Sequence, residues 1–376
     1  MNSSTAKWAW VSSVAFANLP GHFNRSIFDS PWETKTNDPE VYQTLNWVNT
    51  TDFVAYDPRF FQIMGPDAVI EHVQHLAFQS HEAPCYIPET RELLFVEWGP
   101  PGGDNGTHNW QYILDVDNNT LRKLTTDPPI HNLHGCVHFQ GSLYGVTDGY
   151  GANETGSLFR IDPHSWKANK LLNNFLGQPF AGFNDLEVDP EGNFWLTDSK
   201  AGWGRGIIDF TPPNDPSVYF VNGTTMQSKV VWTTWRETGN ANGVAMAPDG
   251  KTLYITDTGV SQFRPSSKDP YSRRMVWAFD LTQGGAVLAN QRLLASPVSY
   301  FYDGLRVSGE GWLFAGSGDG VDVIDPNSGF VLGSIRTGGG ENVAVGLTFG
   351  EHEMWIVGKG GVWHVKNIKA KLRRSW

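Results

Sequence analysis

The sequence predicts an all-β fold, a six-bladed β-propeller with a central metal site, and three observations carry that prediction. First, a unit recurs: a polar residue, an apolar strand, a turn, a second apolar strand, then an Asp or Gly cluster. Second, its leading residues are Glu82, His134, Asn184, Asn242, Asp303 and Asn342. They stand between 39 (Asp303 to Asn342) and 61 (Asn242 to Asp303) positions apart, the period of four-stranded blades with variable loops. Third, the composition suits strands and turns. It is 40 % apolar with 16 Trp, and its 41 Gly and 22 Pro are dispersed along 376 residues.

Taken in order, residues 1–70 read as an N-terminal extension. Lys7 precedes a short apolar run, Trp8 to Phe16, that ends in the A-x-A-like Ala15-Phe16-Ala17. Residues 1–17 are therefore either a weak signal peptide or an ordinary N-terminal strand. Residues 18–70 show little periodicity beyond one strand near 53–55, and a helix is allowed from Asp67 to Phe78. The propeller spans 71–368. Its copies run Glu82 to Glu97, His134 to Asp148, Asn184 to Asp198, Asn242 to Asp257 and Asp303 to Gly316, and a sixth begins at Asn342. Segments such as Ser157 to Pro163 and Met275 to Asp280 supply outer strands. Residues 369–376 are basic and read as a solvated tail.

In a propeller the innermost strand of each blade lines a central channel. A residue at the start of each inner strand points toward the axis at one mouth, so residues about 50 positions apart can reach one ion. Glu82, Asn184, Asn242 and Asp303 then supply two carboxylates and two amides. That all-oxygen set suits Ca²⁺, or another divalent cation such as Mn²⁺ or Mg²⁺. Zinc is disfavoured, because no Cys/His cluster has its spacing. Asn242-Gly243 and Asp303-Gly304 also resemble hairpin turns, but each precedes a strand whose own turn comes later. His81, His134 and His138 are candidate site residues or buried structural histidines.

The formal net charge of −11 argues against nucleic acid as a partner. No stretch approaches the length of a membrane-spanning helix. Cys85 and Cys136, the two cysteines, take similar places in neighbouring copies, which allows a bridge without requiring it. Asn2, Asn24, Asn49, Asn105, Asn118, Asn153 and Asn222 lie in N-x-S/T sequons, which favours secretion.

Three segments carry a resemblance to a known family. They are Asn184-Asp185 before Val188-Asp189-Pro190-Glu191-Gly192-Asn193, Asn242-Gly243 before Ala247-Pro248-Asp249-Gly250-Lys251, and Asp303-Gly304-Leu305-Arg306-Val307. The chain resembles the gluconolactonase/regucalcin (senescence marker protein) family from about residue 45 to 365. His81-Glu82-Ala83, Thr256-Asp257-Thr258-Gly259 and Gly318-Asp319-Gly320-Val321 are closer to its secreted fungal lactonohydrolases. The resemblance implies a divalent cation in the channel and hydrolysis of sugar-acid or hydroxy-acid lactones. It implies Glu82, Asn242 and Asp303 as metal ligands, Asn184 as a contact to metal or substrate, and Asp303 as general base. His134 stands where fungal relatives tend to carry Asn, which makes it and His81 further catalytic candidates. Two other readings stay open: an isomerase, cyclase or other natural-product enzyme on the same metal propeller, and a non-catalytic calcium-binding propeller.

Overall fold

Six antiparallel sheets stand around one axis in the computed structural model, which describes residues 6–77, 80–98, 108–282, 285–338 and 343–375. The inner strands are His81–Ile87, Leu133–Phe139, Phe183–Val188, Ala241–Met246, Tyr302–Val307 and Ala344–Phe349. Each packs against the next and the last against the first, so the ring is closed. The predicted six-bladed, all-β arrangement is therefore present.

The blades follow one local recipe. In the fourth, Ala241–Met246 is followed by Pro248-Asp249-Gly250, where Gly250 takes φ 67° and donates its N–H to Ala247 O. That tight turn returns the chain as Thr252–Thr258. Arg274–Thr282 and Val287–Ala295 complete the sheet outward. Apolar side chains from facing blades fill the space between sheets, with Trp195 and Trp355 among the largest fully buried.

Each inner strand breaks register with its second strand near the same mouth. The shifts fall between Glu82 and Cys85, Leu133 and Gly135, Phe183 and Leu186, Ala241 and Val244, Tyr302 and Leu305, and Ala344 and Gly346. An irregularity of this kind re-aims a side chain that regular pleating would send into a blade face. Three leading residues, His134, Asn242 and Asp303, are followed by Gly, and that glycine has a second cause. A Cβ on Gly243 would stand 2.5 Å from Asp303 O, and one on Gly304 would stand 2.7 Å from Val345 O. Neither glycine has positive φ. Asn242-Gly243 and Asp303-Gly304 are thus strand residues where neighbouring backbones nearly touch.

The N-terminal segment is more ordered than its sequence suggests. Phe53–Ala55 is a strand, paired antiparallel to Val331–Arg336 of the fifth blade and parallel to Trp8–Trp10. Ala9, in the run read as a possible signal peptide, is buried in that edge. Pro39–Val48 is a helix whose N-cap, Asp38, accepts the N–H groups of Glu40 and Val41, and whose Val41, Leu45 and Val48 face inward. The allowed helix over Asp67 to Phe78 is absent: Val69–His75 is the outermost strand of the sixth blade, paired with Gly361–Lys366. Joining the two ends of the ring outweighs the local pattern there.

The basic C-terminus is not a solvated tail. Ile368, Ala370 and Leu372 are buried in the core. Arg374 enters the channel at the mouth opposite the leading residues and meets Glu187 at 2.7 Å. Of the sequons, Asn24, Asn49, Asn118 and Asn153 lie on exposed residues, while Asn2 and Asn105 fall outside the described residues. Among the described residues no helix is long and apolar enough to cross a membrane.

Candidate active site

Five leading residues from five successive blades, Glu82, His134, Asn184, Asn242 and Asp303, line one cavity of about 490 Å³ at the channel mouth. Asn342, the sixth, lies outside the described residues; Val343, Val345 and Lys359 represent its blade in the cavity wall. The same five line a small recess beneath, floored by Arg306 and Asp185. Deeper still, Glu187 meets Arg374. Arg306 also pairs with Asp185 at 2.7 Å, so two ion pairs plug the channel and the cavity opens at one end.

His134 is held by a partner on its own blade. Its Nδ1 lies 2.5 Å from Asp148 Oδ2, its Nε2 3.2 Å from Asn184 Nδ2 and 3.6 Å from Glu82 Oε1. Burial disfavours the imidazolium, but the Asp148 and Glu82 carboxylates outweigh it and lift His134 to about 10. Asp303 sits opposite. Burial pushes its carboxyl well above the usual carboxylate range, and the Glu82 carboxylate pushes it further. Two acidic groups are thus drawn together in a partly desolvated place. Asn242 Oδ1 is buried beside them without a hydrogen-bond partner, an arrangement that ordinarily calls for an explanation.

Among the described residues no group of three or more His, Cys, Asp and Glu side chains is disposed to hold a metal ion. The oxygen donors here are two carboxylates and two amides, a set of mixed type. The orphaned Asn242 oxygen and the crowded Glu82–Asp303 pair fit a hard cation.

His81 does not line the cavity. It is fully buried, with Nδ1 2.7 Å from Gly358 O and Nε2 3.2 Å from Glu97 Oε2. Both nitrogens are occupied in tying the sixth blade to the first, so the sequence expectation of a catalytic role is not met in its placement. His138 lies near the opposite mouth, 3.1 Å from Glu89. The acidic residues that close the second strands have similar scaffold work. Asp198 accepts the N–H groups of Ala181 and Gly182, and Asp257 that of Asn240. Each fixes the backbone just before an inner strand. Cys85 and Cys136 are free thiols, both buried.

Other cavity residues come from loops that carry no repeat signal. Arg205 follows the short helix Ala201–Gly204, Gln262 and Lys268 lie in the long excursion of the fourth blade, and Tyr300 precedes the fifth inner strand. Nothing in periodicity marks them.

A ring of six blades with polar side chains converging at one mouth defines a propeller with a small-molecule site in its channel. The family model described as SMP-30/Gluconolactonase/LRE-like region matches residues 81–357, and the chain belongs to that family. Two relatives from Aspergillus oryzae are each 29 % identical to it: a lactonohydrolase, oryL, over 93 % of this chain and 82 % of its own length, and another, oryH, over 84 % and 80 %. A gluconolactonase structure from Xanthomonas campestris superposes with a TM-score of 0.67 at 23 % identity, covering 83 % of this chain and 93 % of that one. A luciferin-regenerating enzyme shares the fold with a TM-score of 0.59 at 17 % identity.

Proposed function

We propose that this chain is a lactonase that hydrolyses the ester of a sugar-acid or hydroxy-acid lactone in the cavity at the channel mouth, dependent on a divalent cation. The carrying observation is the convergence of Glu82, His134, Asn184, Asn242 and Asp303 on one 490 Å³ cavity in a chain of this family. The names of the Aspergillus and Xanthomonas relatives support the reaction class. Glu82, Asn184, Asn242 and Asp303 would hold the cation, Ca²⁺ or an alternative such as Mn²⁺ or Mg²⁺. When bound, it supplies positive charge that polarises the ester carbonyl and acidifies water.

Asp303 is the general base. It accepts a proton from water as the water oxygen bonds to the lactone carbonyl carbon. The ring C–O bond then breaks, and Asp303 returns the proton to the leaving alkoxide. The product is an open hydroxy acid, which ionises at neutral pH and releases one proton. His134, held charged by Asp148, adds positive charge at the edge of the site where the oxyanion develops. Asn184, whose amide lies beside His134, orients the substrate.

The proton released gives the test. Aldono- and hydroxy-acid lactones are presented to the purified protein in a pH-stat, before and after chelation and after return of Ca²⁺, Mn²⁺ or Mg²⁺. Turnover that is lost on chelation and restored by one of these cations is expected. Chelation-insensitive turnover removes the cation, and no turnover of any lactone removes the reaction.

A further inference from the structure

The cavity has a wall that the hydrolytic reaction does not use. Arg205 lines it, and its Nη1 is buried yet has no hydrogen-bond partner. Among the described residues its guanidinium makes no ion pair. The group is not loose. It lies over the Trp98 ring, 4.7 Å from the centroid, and Trp98 in turn packs 5.4 Å from His134. Its backbone N–H is tied back to Ala201 O. A planar cation is thus held against an indole, beside the reacting groups, with its Nη1 unspent. At the rim Lys268 adds a second positive charge, its Nζ 4.4 Å from the Tyr300 ring centroid and 5.1 Å from that of Phe28.

A buried donor without an acceptor costs free energy, and a guanidinium costs more than a neutral group. Arg205 and the Asp303 carboxylate act on each other through space, but among the described residues no carboxylate is within ion-pair reach of Arg205, so its Nη1 keeps no acceptor. The acceptor must come from the occupant. We propose that Arg205 forms a carboxylate subsite, so that the preferred substrate is a lactone bearing a second, free acid group outside the ester ring. The guanidinium fork matches a carboxylate in two parallel N–H···O bonds. Trp98 holds it against the cavity wall in advance, so little freedom is lost on binding. A neutral sugar lactone would leave the fork unpaired, and a site built to pair an acid discriminates against the analogue lacking it.

This inference rests on the lactonase reading, and the test separates the two. The probes are 5-oxotetrahydrofuran-3-carboxylate, a lactone with one free acid, and its methyl ester, each assayed at saturating Ca²⁺. The wild type is expected to favour the acid over the ester by at least about tenfold in kcat/KM. Arg205→Met brings that ratio to near one, and Arg205→Lys, which keeps charge but loses the fork, falls between. A wild-type ratio near one, or a preference that survives Arg205→Met in a folded variant, overturns the subsite. A second readout needs no turnover: calorimetric binding of 5-oxopyrrolidine-3-carboxylate, the matching lactam, against its methyl ester. Should no lactone at all be hydrolysed, the reaction fails, while lactam-acid binding that Arg205→Met abolishes still upholds the subsite. Equal binding of lactam acid and ester by the wild type overturns it.

Discussion

Arg374 Nη2 lies 2.7 Å from Glu187 Oε1, its Nη1 2.8 Å from Oε2, and this pair closes the channel at the mouth opposite the candidate site. Glu187 is held on its other side by the N–H groups of Val188 and Met246. Its carboxylate is buried, so it depends on its cation. Arg374→Ala should lower stability by about 3 kcal/mol, the cost of leaving a buried charge unpaired. Chemical denaturation measures this. Arg374→Ala/Glu187→Gln should recover part of the loss, and kcat should hardly change, because the pair is remote from the cavity.

That pair also marks how far the sequence could be read. Blade number, inner strands and five cavity residues were legible, because the repeat puts one polar residue at the start of each inner strand. The Arg374 contact was not, since a short basic run ends as readily in solvent as in a channel, and only long-range closure decides. The strand at Val69–His75 was missed for the same reason: its partner lies some 290 residues on, at Gly361–Lys366. The helix Pro39–Val48 was missed although its signals, Asp38-Pro39 and the i, i+4, i+7 series Val41, Leu45, Val48, stand in the sequence. His81 could not be separated from His134 by spacing. Only the Gly358 and Glu97 contacts distinguish a buried tie from a cavity residue.

Asp198 gives a pH prediction with a definite sign. Burial raises its carboxyl to about 7, against the opposing N–H groups of Gly182 and Ala181. The folded state therefore keeps a proton that the unfolded chain loses near pH 3.8. Stability from this residue is fully present below that value and is lost as pH rises through about 7. Asp198→Asn cannot ionise. The Tm difference, variant minus wild type, should grow more positive between pH 4 and 8, by the equivalent of a few kcal/mol, about 1.4 per pH unit. Calorimetry across that range checks it, and a flat difference would show that Asp198 ionises in the folded protein near its ordinary value.

His134 and Asp148 test the charged wall of the site. Asp148→Asn removes the anion that holds the imidazolium. The His134 titration, read by NMR on chelated protein, should move down from about 10 toward its ordinary range. Turnover should fall by about 10-fold to 10²-fold. An unmoved titration would mean that Glu82 alone keeps His134 charged.

Asn242→Asp keeps an oxygen beside Asp303 and adds a negative charge. If these groups hold a cation, its affinity should stay level or rise, as calorimetric titration with Ca²⁺ would record, while turnover falls only modestly. Weaker binding would remove Asn242 from the ligand set.

The account turns on Asp303 acting as base as well as ligand. Asp303→Asn preserves the side-chain volume and one oxygen but takes up no proton from water. Its kcat for lactone hydrolysis, measured in the pH-stat with cation occupancy verified by titration, is the most direct measurement. The account predicts a fall of about 10²-fold or more at full occupancy. A variant that turns over at near wild-type rate with its cation bound would contradict it.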